Sequence, residues 1–407
     1  MNVQELRSLF PALSATVHGK PLVYFDNAAT SQRPQSVLRC WEELSGRTNA
    51  NIHRAVHALA GAATERFEQT RERVRAWLNA ASTREIIFTS GATHALNLLA
   101  FSFGEAFVRE GDEILVGEAE HHSDIVPWQM MCARKGASLK VWPVDDDGML
   151  RMDLLPSLLT ERVRLVAVAH ISNVLGLVNP IREIAARCHA AGAVLAVDGA
   201  QGIVHELVDV QQLDCDFYAF SGHKMYAATG TGVLYGREEL LKQMPPYMGG
   251  GEMIETVKFT GTIYAPLPGK FEAGTQNFNA IPTLVPAIEL MEQMQDEELL
   301  CASRAAAEYL TEALTDDARI RLFGVPRGTI RKAPVFSFVV EGAHHEDIAL
   351  ILDKMGIAVR SGQMCAEPLM DRFGVTGMVR VSLAPYNTLE EAEYFVQALQ
   401  KALDMLI

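Results

Sequence analysis

The sequence lacks any pair of cysteines at a spacing that would bind a metal ion. Its six cysteines are scattered along 407 residues without a C-x-x-C pair: Cys40, Cys132, Cys188, Cys215, Cys301 and Cys365. This scatter fits neither a disulfide framework nor a zinc site. We therefore expect no metal site, and we expect most of the thiols to be reduced, buried and unreactive.

A surplus of positive charge is also lacking, since the formal net charge is −14. That charge argues against nucleic-acid partners and against anionic membrane surfaces. No apolar run approaches the length of a membrane span. The first residues, 1–14, carry Glu5 early and have no long apolar stretch, so they do not resemble a signal peptide. We expect a cytoplasmic protein that does not bind membranes or nucleic acid.

Short β-rich runs alternate with helical stretches through most of the chain. The predicted strands are 85–90, 112–117, 163–172, 216–221 and 230–236, and residues 193–201 are predicted to be a strand followed by a loop. Regular alternation of strands and helices is typical of a mainly parallel sheet with helices on both faces. The sequence therefore predicts an α/β fold.

The pattern changes after about Gly236. Residues 245–280 are rich in glycine and proline and are predicted to form a long ordered loop region. A long helical stretch at 283–314 follows, and we place a domain boundary inside it. Two further strands, 334–342 and 377–385, and a final helix then predict a smaller α+β unit. Thr388 and Glu391 form a capping box at the start of that helix.

Two charged residues directly follow apolar strands, which is where open α/β sheets bind ligands. Lys224 comes just after "DFYAFSGH", and Asp198 directly follows "AVLAV". An ammonium group at the mouth of a core strand is unfavourable unless it is paired, neutralised or used covalently. The common alternatives are a lysine that reaches water and a simple buried ion pair.

Other polar groups follow neighbouring strands. Thr93 stands in a turn of small residues before a predicted helix, where free N–H groups can bind a phosphate, although a plain helix cap explains the turn equally well. His121 and His122 follow the strand at 112–117. Adjacent residues point in different directions, so we expect at most one of them to face a pocket. A solvent-exposed pair is the alternative.

One cofactor needs all of these groups together. Pyridoxal 5′-phosphate (PLP) needs a lysine for its Schiff base, a carboxylate for its ring nitrogen, and a cup of N–H groups and hydroxyls for its phosphate. It also gains from a flat side chain stacked on its ring. Lys224, Asp198, the Thr93 turn and one histidine supply one of each. Burial of the lysine helps, because loss of water lowers the pKa and favours the amine.

Several motifs in the chain, in the same order, resemble a known family. They are "NANIHR", "EHHSDIVPW", "SNVLG", "DGAQ", "DFYAFSGHK", "GGGEMI", "FEAGT" and "VRSGQMCAEPLM". Together they resemble the group II (SufS/CsdA-type) cysteine desulfurases and selenocysteine lyases, of the class V aminotransferase superfamily. The resemblance covers nearly the whole chain.

The resemblance implies a fold and an assembly. It implies the fold type I PLP-dependent transferase architecture, which is aspartate-aminotransferase-like and has a mainly parallel seven-stranded sheet. On this chain it implies a large PLP-binding domain at 21–290, a smaller domain at 291–407 that carries the nucleophilic cysteine, and an N-terminal segment, 1–20, packed with the smaller domain. It also implies a homodimer with active sites at the interface.

The resemblance further implies roles for residues that match the motifs. Lys224 resembles the Schiff-base lysine, and Cys365 resembles the nucleophile that takes the sulfur as a persulfide. The remaining cofactor-binding positions are implied to be Asp198 at the ring nitrogen, Gln201 at the ring hydroxyl, His121 stacked on the ring, Ala92, Thr93, Ser221 and His223 at the phosphate, and Thr275 from the other subunit. The implied substrate-binding positions are Asn173, Arg380, Arg360 and His53.

The surroundings of Cys365 agree with that role. Gly362 and Pro368 flank it, which predicts a turn or loop, whereas the other five cysteines lie in helical or strand patterns. At the two positions before Cys365, where the family commonly has histidine, this chain has Gln363 and Met364. Neither residue brings a charge that would favour the thiolate.

The leading hypothesis is a PLP-dependent cysteine desulfurase, a sulfurtransferase that converts L-cysteine to L-alanine and supplies sulfur for iron–sulfur cluster assembly or a related pathway. The resemblance implies a sulfur-acceptor partner similar to SufE, CsdE or SufU. The enzymatic alternative is a selenocysteine lyase or another PLP-dependent lyase or transaminase on the same fold. The non-enzymatic alternative is a sulfur-relay scaffold.

Overall fold

The computed structural model describes residues 1–325 and 331–407. The strands in these ranges are β1 Thr16–Val17, β2 Lys20–Pro21, β3 Val23–Tyr24, β4 Ile86–Thr89, β5 Glu113–Gly117, β6 Ser138–Trp142, β7 Val163–Ala169, β8 Val194–Asp198, β9 Phe217–Ser221, β10 Gly232–Gly236, β11 Ile254–Lys258, β12 Gly261–Tyr264, β13 Ile320–Phe323, β14 Val335–Val340, β15 Ile357–Ala358, β16 Arg360–Gly362 and β17 Met378–Ser382. The α-helices are α1 Val3–Ser8, α2 Gln35–Gly46, α3 Ala58–Trp77, α4 Ala92–Phe107, α5 Val126–Lys135, α6 Leu155–Leu158, α7 Ile181–Ala190, α8 Gly202–His205, α9 Val210–Leu213, α10 Glu238–Gln243, α11 Leu284–Gln293, α12 Glu297–Asp316, α13 His345–Lys354, α14 Glu367–Phe373 and α15 Leu389–Leu406. None of the described helices is both long enough and apolar enough to span a membrane.

The central element is a seven-stranded sheet with the order β4-β10-β9-β8-β7-β5-β6. Only β10 runs against its neighbours, β4 and β9, and the other four pairs are parallel. The prediction of a mainly parallel seven-stranded sheet is confirmed. Because parallel strands end at the same edge, the residues that follow β5, β7, β8 and β9 lie together.

Both faces of this sheet are buried. In β7, Leu165 and Ala167 belong to one apolar cluster, whereas Val166 and Val168 belong to another. Side chains alternate between the faces of a strand, so each cluster fills one side. Helices α4 and α5 contribute to the first cluster, and α3 and α11 contribute to the second. The near-continuous apolar runs that predicted these strands arise from burial on two sides.

The edge strand β6 was missed by the sequence prediction. Its residues, "SLKVW", are mostly exposed, and only Trp142 is fully buried. An edge strand that borders water needs few apolar residues, so its sequence carries a weak strand signal. Strand β7 also ends at Ala169, three residues before the predicted end.

The prediction of an uninterrupted loop region at 245–280 is wrong over residues 254–264. Strands β11 and β12 form an antiparallel hairpin there. Most of its side chains are exposed, including Val257, Ile263 and Tyr264, and Phe259 at its tip is fully exposed. Apolar side chains in such numbers on one exposed hairpin are unusual for a surface that faces only water.

A second sheet, with the order β13-β14-β17-β16, is antiparallel. Helices α12, α13 and α15 supply most of the apolar cluster that packs against it. The capping box predicted at Thr388 is present at the start of α15. The predicted boundary between residues 290 and 291 falls inside α11, and the division into domains stays a prediction.

The N-terminal segment touches both parts of the chain. Arg7 forms an ion pair of 2.8 Å with Glu391 of α15 and donates to the carbonyl of Tyr386 at 2.7 Å. The ring of Phe10 packs against the rings of Tyr386 and Tyr226, with centroids 4.7 and 5.9 Å away. Part of this segment therefore packs against α15 and Tyr386, and part packs against Tyr226 in the large core. Its assignment to a smaller domain stays a prediction.

A buried ion pair joins α3 to the segment that carries the "FEAGT" motif. Arg71 makes two hydrogen bonds to Glu272, of 2.7 and 2.9 Å, and both side chains are almost fully buried. Glu272 also accepts from the N–H of Phe88 in β4 at 2.7 Å. The Arg71 guanidinium lies 4.5 Å from the Phe88 ring centroid. Glu272 therefore fixes the segment to α3 and β4 together.

We predict that Glu272→Ala lowers the free energy of unfolding by about 3 kcal/mol or more, because it removes the buried partner of the Arg71 guanidinium and leaves it paired with the exposed Glu68. The matched control is Glu72→Ala on the same helix, which breaks an exposed pair with Arg75 and should change stability by less than about 1 kcal/mol. Urea unfolding at one protein concentration measures both. Equal effects of the two substitutions would contradict this prediction.

Candidate active site

A cavity of about 310 Å³ lies at the carboxyl edge of the central sheet. Most of the sequence-predicted site residues line it, from strands and loops far apart in the chain. Those residues are Ala92, Thr93, His121, Asn173, Asp198, Gln201, Ser221, His223, Lys224, Arg360, Cys365 and Arg380. The topology of the sheet therefore brings together what the sequence disperses.

Lys224 and Asp198 follow neighbouring parallel strands. Asp198 is the last residue of β8, and Lys224 ends the short 3₁₀ turn that follows β9. Burial lowers the pKa of Lys224, and the charge of Asp198 opposes that shift. Burial likewise raises the pKa of Asp198, and Lys224 opposes it. The lowered lysine pKa favours the free amine, which is the nucleophilic form.

Two further carboxyl groups, those of Glu120 and Asp124, lie close enough to Asp198 to interact with its charge. Burial and the neighbouring negative charges raise the pKa of both groups well above their ordinary values. Asp124 accepts from the indole N–H of Trp128 at 2.8 Å, and one oxygen of each carboxyl has no hydrogen-bond partner within residues 1–325 and 331–407. Because an isolated buried carboxylate is unfavourable, we infer that this pair holds at least one proton.

His121 faces the cavity as a neutral ring. Burial first, and then the charge of Lys224, lower its pKa to about 4. Its Nδ1 atom accepts from the backbone N–H of Ser123 at 3.0 Å. A neutral imidazole that accepts at Nδ1 carries its proton on Nε2. The ring can therefore donate one hydrogen bond, from Nε2.

One end of the cavity suits an anion. Helix α4 begins there at Ala92, and its N-cap, Gly91, provides no side-chain cap. The hydroxyl of Ser221 accepts from the N–H of Ala92 at 2.8 Å, and the hydroxyls of Thr93 and Ser123 lie 2.7 Å apart. Free N–H groups at a helix N-terminus and nearby hydroxyls favour a bound phosphate.

The same end includes His223, whose ring is neutral. Burial and the charge of Lys224 lower its pKa to about 4. Its Nδ1 atom lies 3.2 Å from the hydroxyl of Thr30. His223 can therefore donate or accept a hydrogen bond, but it adds no positive charge.

Arg380 reaches the cavity from β17 of the second sheet. It donates to the carbonyl of Asn173 at 2.9 Å and pairs with Asp26 at 3.2 Å. Its Nε–H has no partner among the described residues, although the side chain is buried. A buried guanidinium with an unused donor is suited to bind an anion such as a carboxylate. The exposed Arg360 adds a second positive charge to the wall.

The side-chain amides of Asn173 and Gln201 are already engaged. Asn173 donates to the carbonyl of Met364 at 2.8 Å, and Gln201 donates to the carbonyl of Ala28 at 2.7 Å. Each amide thus fixes a neighbouring loop, and its oxygen remains available to a ligand. The sequence alone gives no sign of these loop contacts.

Cys365 lies in the cavity wall and is exposed. The backbone of both Met364 and Cys365 is left-handed, with φ values of 54° and 55°. Met364 is buried in the large core, which explains an apolar residue there, and Gln363 bonds to Glu367 at 3.3 Å. Cys365 thus sits on a turn, as the sequence predicted.

Three of the other cysteines, Cys132, Cys188 and Cys215, are buried, and burial raises their pKa values. Cys40 is half-buried, and its pKa is raised for the same reason. Cys301 is exposed on α12 and does not line the cavity. Only Cys365 among them combines exposure with a place in the cavity wall.

Two predicted site residues lie outside the cavity of this chain. His53 is bonded to Glu68 at 3.1 Å and lies 3.7 Å from Glu252. Thr275 is exposed and does not line the cavity. The roles assigned to these two residues stay predictions.

The cavity wall also contains residues that sequence analysis missed. Ala28 and Ala29 lie beside Gln201, and Ser123 completes the anion end. The alanines carry no chemical signal. Ser123 could have been found, because a hydroxyl two residues after a cavity-facing histidine, in a turn, points back to the same site.

Comparisons with known proteins identify similar chains. The family profile described as "Aminotransferase class-V" matches residues 23–395. A probable cysteine desulfurase from Vibrio cholerae is 46% identical over 406 residues, which is 100% of both chains. A cysteine desulfurase from Pectobacterium carotovorum is 44% identical over 400 residues, covering 98% of this chain and 97% of that protein.

Solved structures give the same result. The crystal structure of the cysteine desulfurase CsdA (S-sulfonic acid) from Escherichia coli matches with a TM-score of 0.91 at 38% identity, covering 100% of both chains. The apo structure of a cysteine desulfurase from Thermococcus onnurineus matches with a TM-score of 0.90 at 36% identity, covering 98% of this chain and 99% of that one.

We predict that Asp124→Asn makes stability less dependent on pH. A carboxyl that is protonated when folded loses its proton on unfolding above its ordinary pKa, so stability falls as pH rises, by about 1.4 kcal/mol per pH unit for one proton. The asparagine keeps an oxygen for Trp128 but has no proton to lose. Urea unfolding of the cofactor-free chain at pH 5 and pH 8 should show a smaller fall for the variant.

The matched control is Glu161→Gln, which changes an exposed carboxyl and should leave the pH dependence as in the wild type. An Asp124→Asn variant whose stability falls between pH 5 and pH 8 as steeply as that of the wild type would show that Asp124 is ionised in the folded chain.

Proposed function

Because this chain belongs to the aminotransferase class-V family and, within it, to the cysteine desulfurases, we propose that it converts L-cysteine to L-alanine and keeps the sulfur as a persulfide on Cys365. The observation that carries the proposal is the position of Cys365 in the wall of the cavity that Lys224 and Asp198 also line. L-cysteine and the Cys365 thiol together yield L-alanine and the persulfide, so one sulfur atom moves and no outside oxidant is needed.

PLP is the cofactor of this family, and the cavity residues fit it. Lys224 would hold its aldehyde, Asp198 its ring nitrogen, Gln201 its ring hydroxyl and His121 the face of its ring. The phosphate would bind at the uncapped start of α4, among the residues Ala92, Thr93, Ser221 and His223. When bound, PLP supplies an electron sink for the pair released at the substrate Cα. Supporting observations are the start of α4, whose N-cap Gly91 makes no side-chain hydrogen bond, and the burial of Lys224 and Asp198.

The substrate would be oriented by its carboxylate. The unpartnered Nε–H of Arg380 is the supporting observation, because a carboxylate would complete its hydrogen bonding. Asn173 and Arg360 line the same part of the wall. Within this arrangement the amine of Lys224 can take a proton from the substrate Cα, and the Nε2–H of His121 can donate a hydrogen bond nearby.

Sulfur transfer needs a thiolate at Cys365 and a path by which the persulfide sulfur can pass to an acceptor. The thiolate attacks the substrate sulfur, and the substrate carbon–sulfur bond breaks with its electron pair left on carbon. Because Cys365 is exposed, a second protein can reach the persulfide. We propose an acceptor similar to SufE, CsdE or SufU, and a cytoplasmic setting in which thiols stay reduced.

We also propose a homodimer. Exposed apolar side chains support it: Val56 and Leu59 near the start of α3, and Val257, Phe259, Ile263 and Tyr264 on the β11–β12 hairpin. A second copy that covers this surface would remove it from water. Thr275, which is exposed in this chain, would then serve the cofactor of the other subunit.

We predict that Cys365→Ser lowers alanine release from L-cysteine at least about 100-fold, because a hydroxyl cannot replace the attacking thiolate. The cofactor absorbance should remain in that variant and disappear in Lys224→Ala. Alanine is measured with and without reductant, and Cys301→Ser is the control for an exposed thiol outside the cavity. Alanine release at the wild-type rate from Cys365→Ser would overturn the proposed nucleophile.

We predict that mixed dimers reveal a shared site. In a dimer of a Thr275→Ala chain with a Lys224→Ala chain, both lesions fall in one site and the other site is intact. Such dimers should recover about half of the wild-type activity, as should dimers of wild-type and Lys224→Ala chains. Activity no higher than that of Thr275→Ala alone would place Thr275 in the site of its own chain.

A further inference from the structure

The turn that carries Cys365 has a backbone conformation that its sequence disfavours. Met364 and Cys365 are consecutive residues with φ values of 54° and 55°. Residues with a side chain rarely adopt this left-handed region, and two in succession are rarer still. Such a conformation persists only when surrounding contacts impose it. The position of the Cys365 thiol therefore depends on residues outside the turn.

Two hydrogen bonds hold the carbonyl groups of the turn. The side-chain amide of Asn173 donates to the carbonyl of Met364 at 2.8 Å. The backbone N–H of His122 donates to the carbonyl of Cys365 at 2.7 Å. Asn173 and His122 follow β7 and β5, which are neighbours in the central sheet. The sheet edge thus grips the turn from one side.

The ring of His122 makes a third bond. Its Nε2 atom accepts from the N–H of Glu367 at 3.1 Å. Glu367 is the first residue of α14, and the N-cap of that helix, Ala366, has no side chain that could cap it. The ring thus replaces the missing local cap. His122 consequently holds the chain at two points, at the carbonyl of Cys365 itself and at the N–H two residues later.

We propose that His122 is a positioning residue for Cys365, which fixes the nucleophile's turn without lining the cavity. This inference rests on the proposed function. It gives the two adjacent histidines different roles, because His121 lines the cavity and His122 is hydrogen-bonded to the segment that carries Cys365. Loss of the ring should impair the sulfur-transfer step and leave the binding of cofactor and substrate intact.

The test compares His122→Ala and His122→Gln in the PLP-loaded protein. For the alanine variant we expect kcat for alanine release to fall about tenfold or more, because small displacements of a reacting group strongly slow a reaction. KM and cofactor absorbance should stay within about twofold of the wild type. Glutamine can offer an oxygen at similar reach, so it should restore a large part of the loss. Hydrogen exchange should be at least about tenfold faster in residues 364–368 of the alanine variant, because the Glu367 amide loses its acceptor.

His344→Ala is the matched control, since His344 also accepts from a helix N-terminal N–H, that of Glu346 in α13. It should leave kcat and exchange at 364–368 unchanged. The proposal is overturned by a His122→Ala variant with kcat within twofold of the wild type, by unchanged exchange at 364–368, by loss of the cofactor, or by His122→Gln that is as slow as the alanine variant. Hydrogen exchange is measured without catalytic turnover. If Cys365→Ser released alanine at the wild-type rate, the proposed nucleophile would be wrong, but the exchange measurement at residues 364–368 would still test whether His122 holds the turn.

Discussion

The carboxyl ends of β8 and β9 hold two charged side chains, Asp198 and Lys224, that have been removed from water, and the site is arranged around them. Neither charge could be buried there alone, because an uncompensated buried charge costs several kcal/mol. Each opposes the pKa shift that burial imposes on the other. The neighbouring groups are kept neutral, as the lowered pKa values of His121 and His223 indicate. The two rings therefore keep the cavity polar without adding to the positive charge of Arg360 and Arg380.

The location of a thiol distinguishes the cysteines more sharply than its immediate sequence does. Cys188 and Cys215 are buried, where a raised pKa and the lack of access make the thiols unreactive. Cys301 is accessible but lies on α12, away from the cavity. Cys365 has access to both the cavity and the surface. The two residues before it bring no charge that would stabilise a thiolate. The orientation of the thiol depends on the turn and its contacts.

Much of the fold and part of the site could be predicted from local sequence. Asp198 and Lys224 were found because each follows an apolar run, and parallel strands place such residues at one edge. Arg380 lies in β17 of the antiparallel sheet, and Cys365 lies in the turn after β16 of that sheet. Only the family resemblance identified their roles. Strand β6 was missed because an edge strand carries few apolar residues.

The contacts of His122 could not be predicted from the sequence for a different reason. The ring is bonded to a backbone N–H that lies 245 residues later in the chain. A backbone N–H is the same in every residue except proline, so the sequence gives no sign of which one a distant ring will meet. The hydrogen bond between Asn173 and the carbonyl of Met364 could not be predicted from local sequence for the same reason.

Because of the position of Arg380, a ligand in the cavity can connect the two sheets. Arg380 belongs to β17 of the antiparallel sheet, whereas Lys224 and Asp198 follow strands of the central sheet. A molecule that touches Arg380 and Lys224 together therefore joins the two sheets through itself. Its binding free energy is added to the contact between them, since a ligand stabilises the arrangement that binds it. A substrate held at both residues, as proposed, would act as a temporary crosslink, and its departure would leave the two sheets joined by protein contacts only.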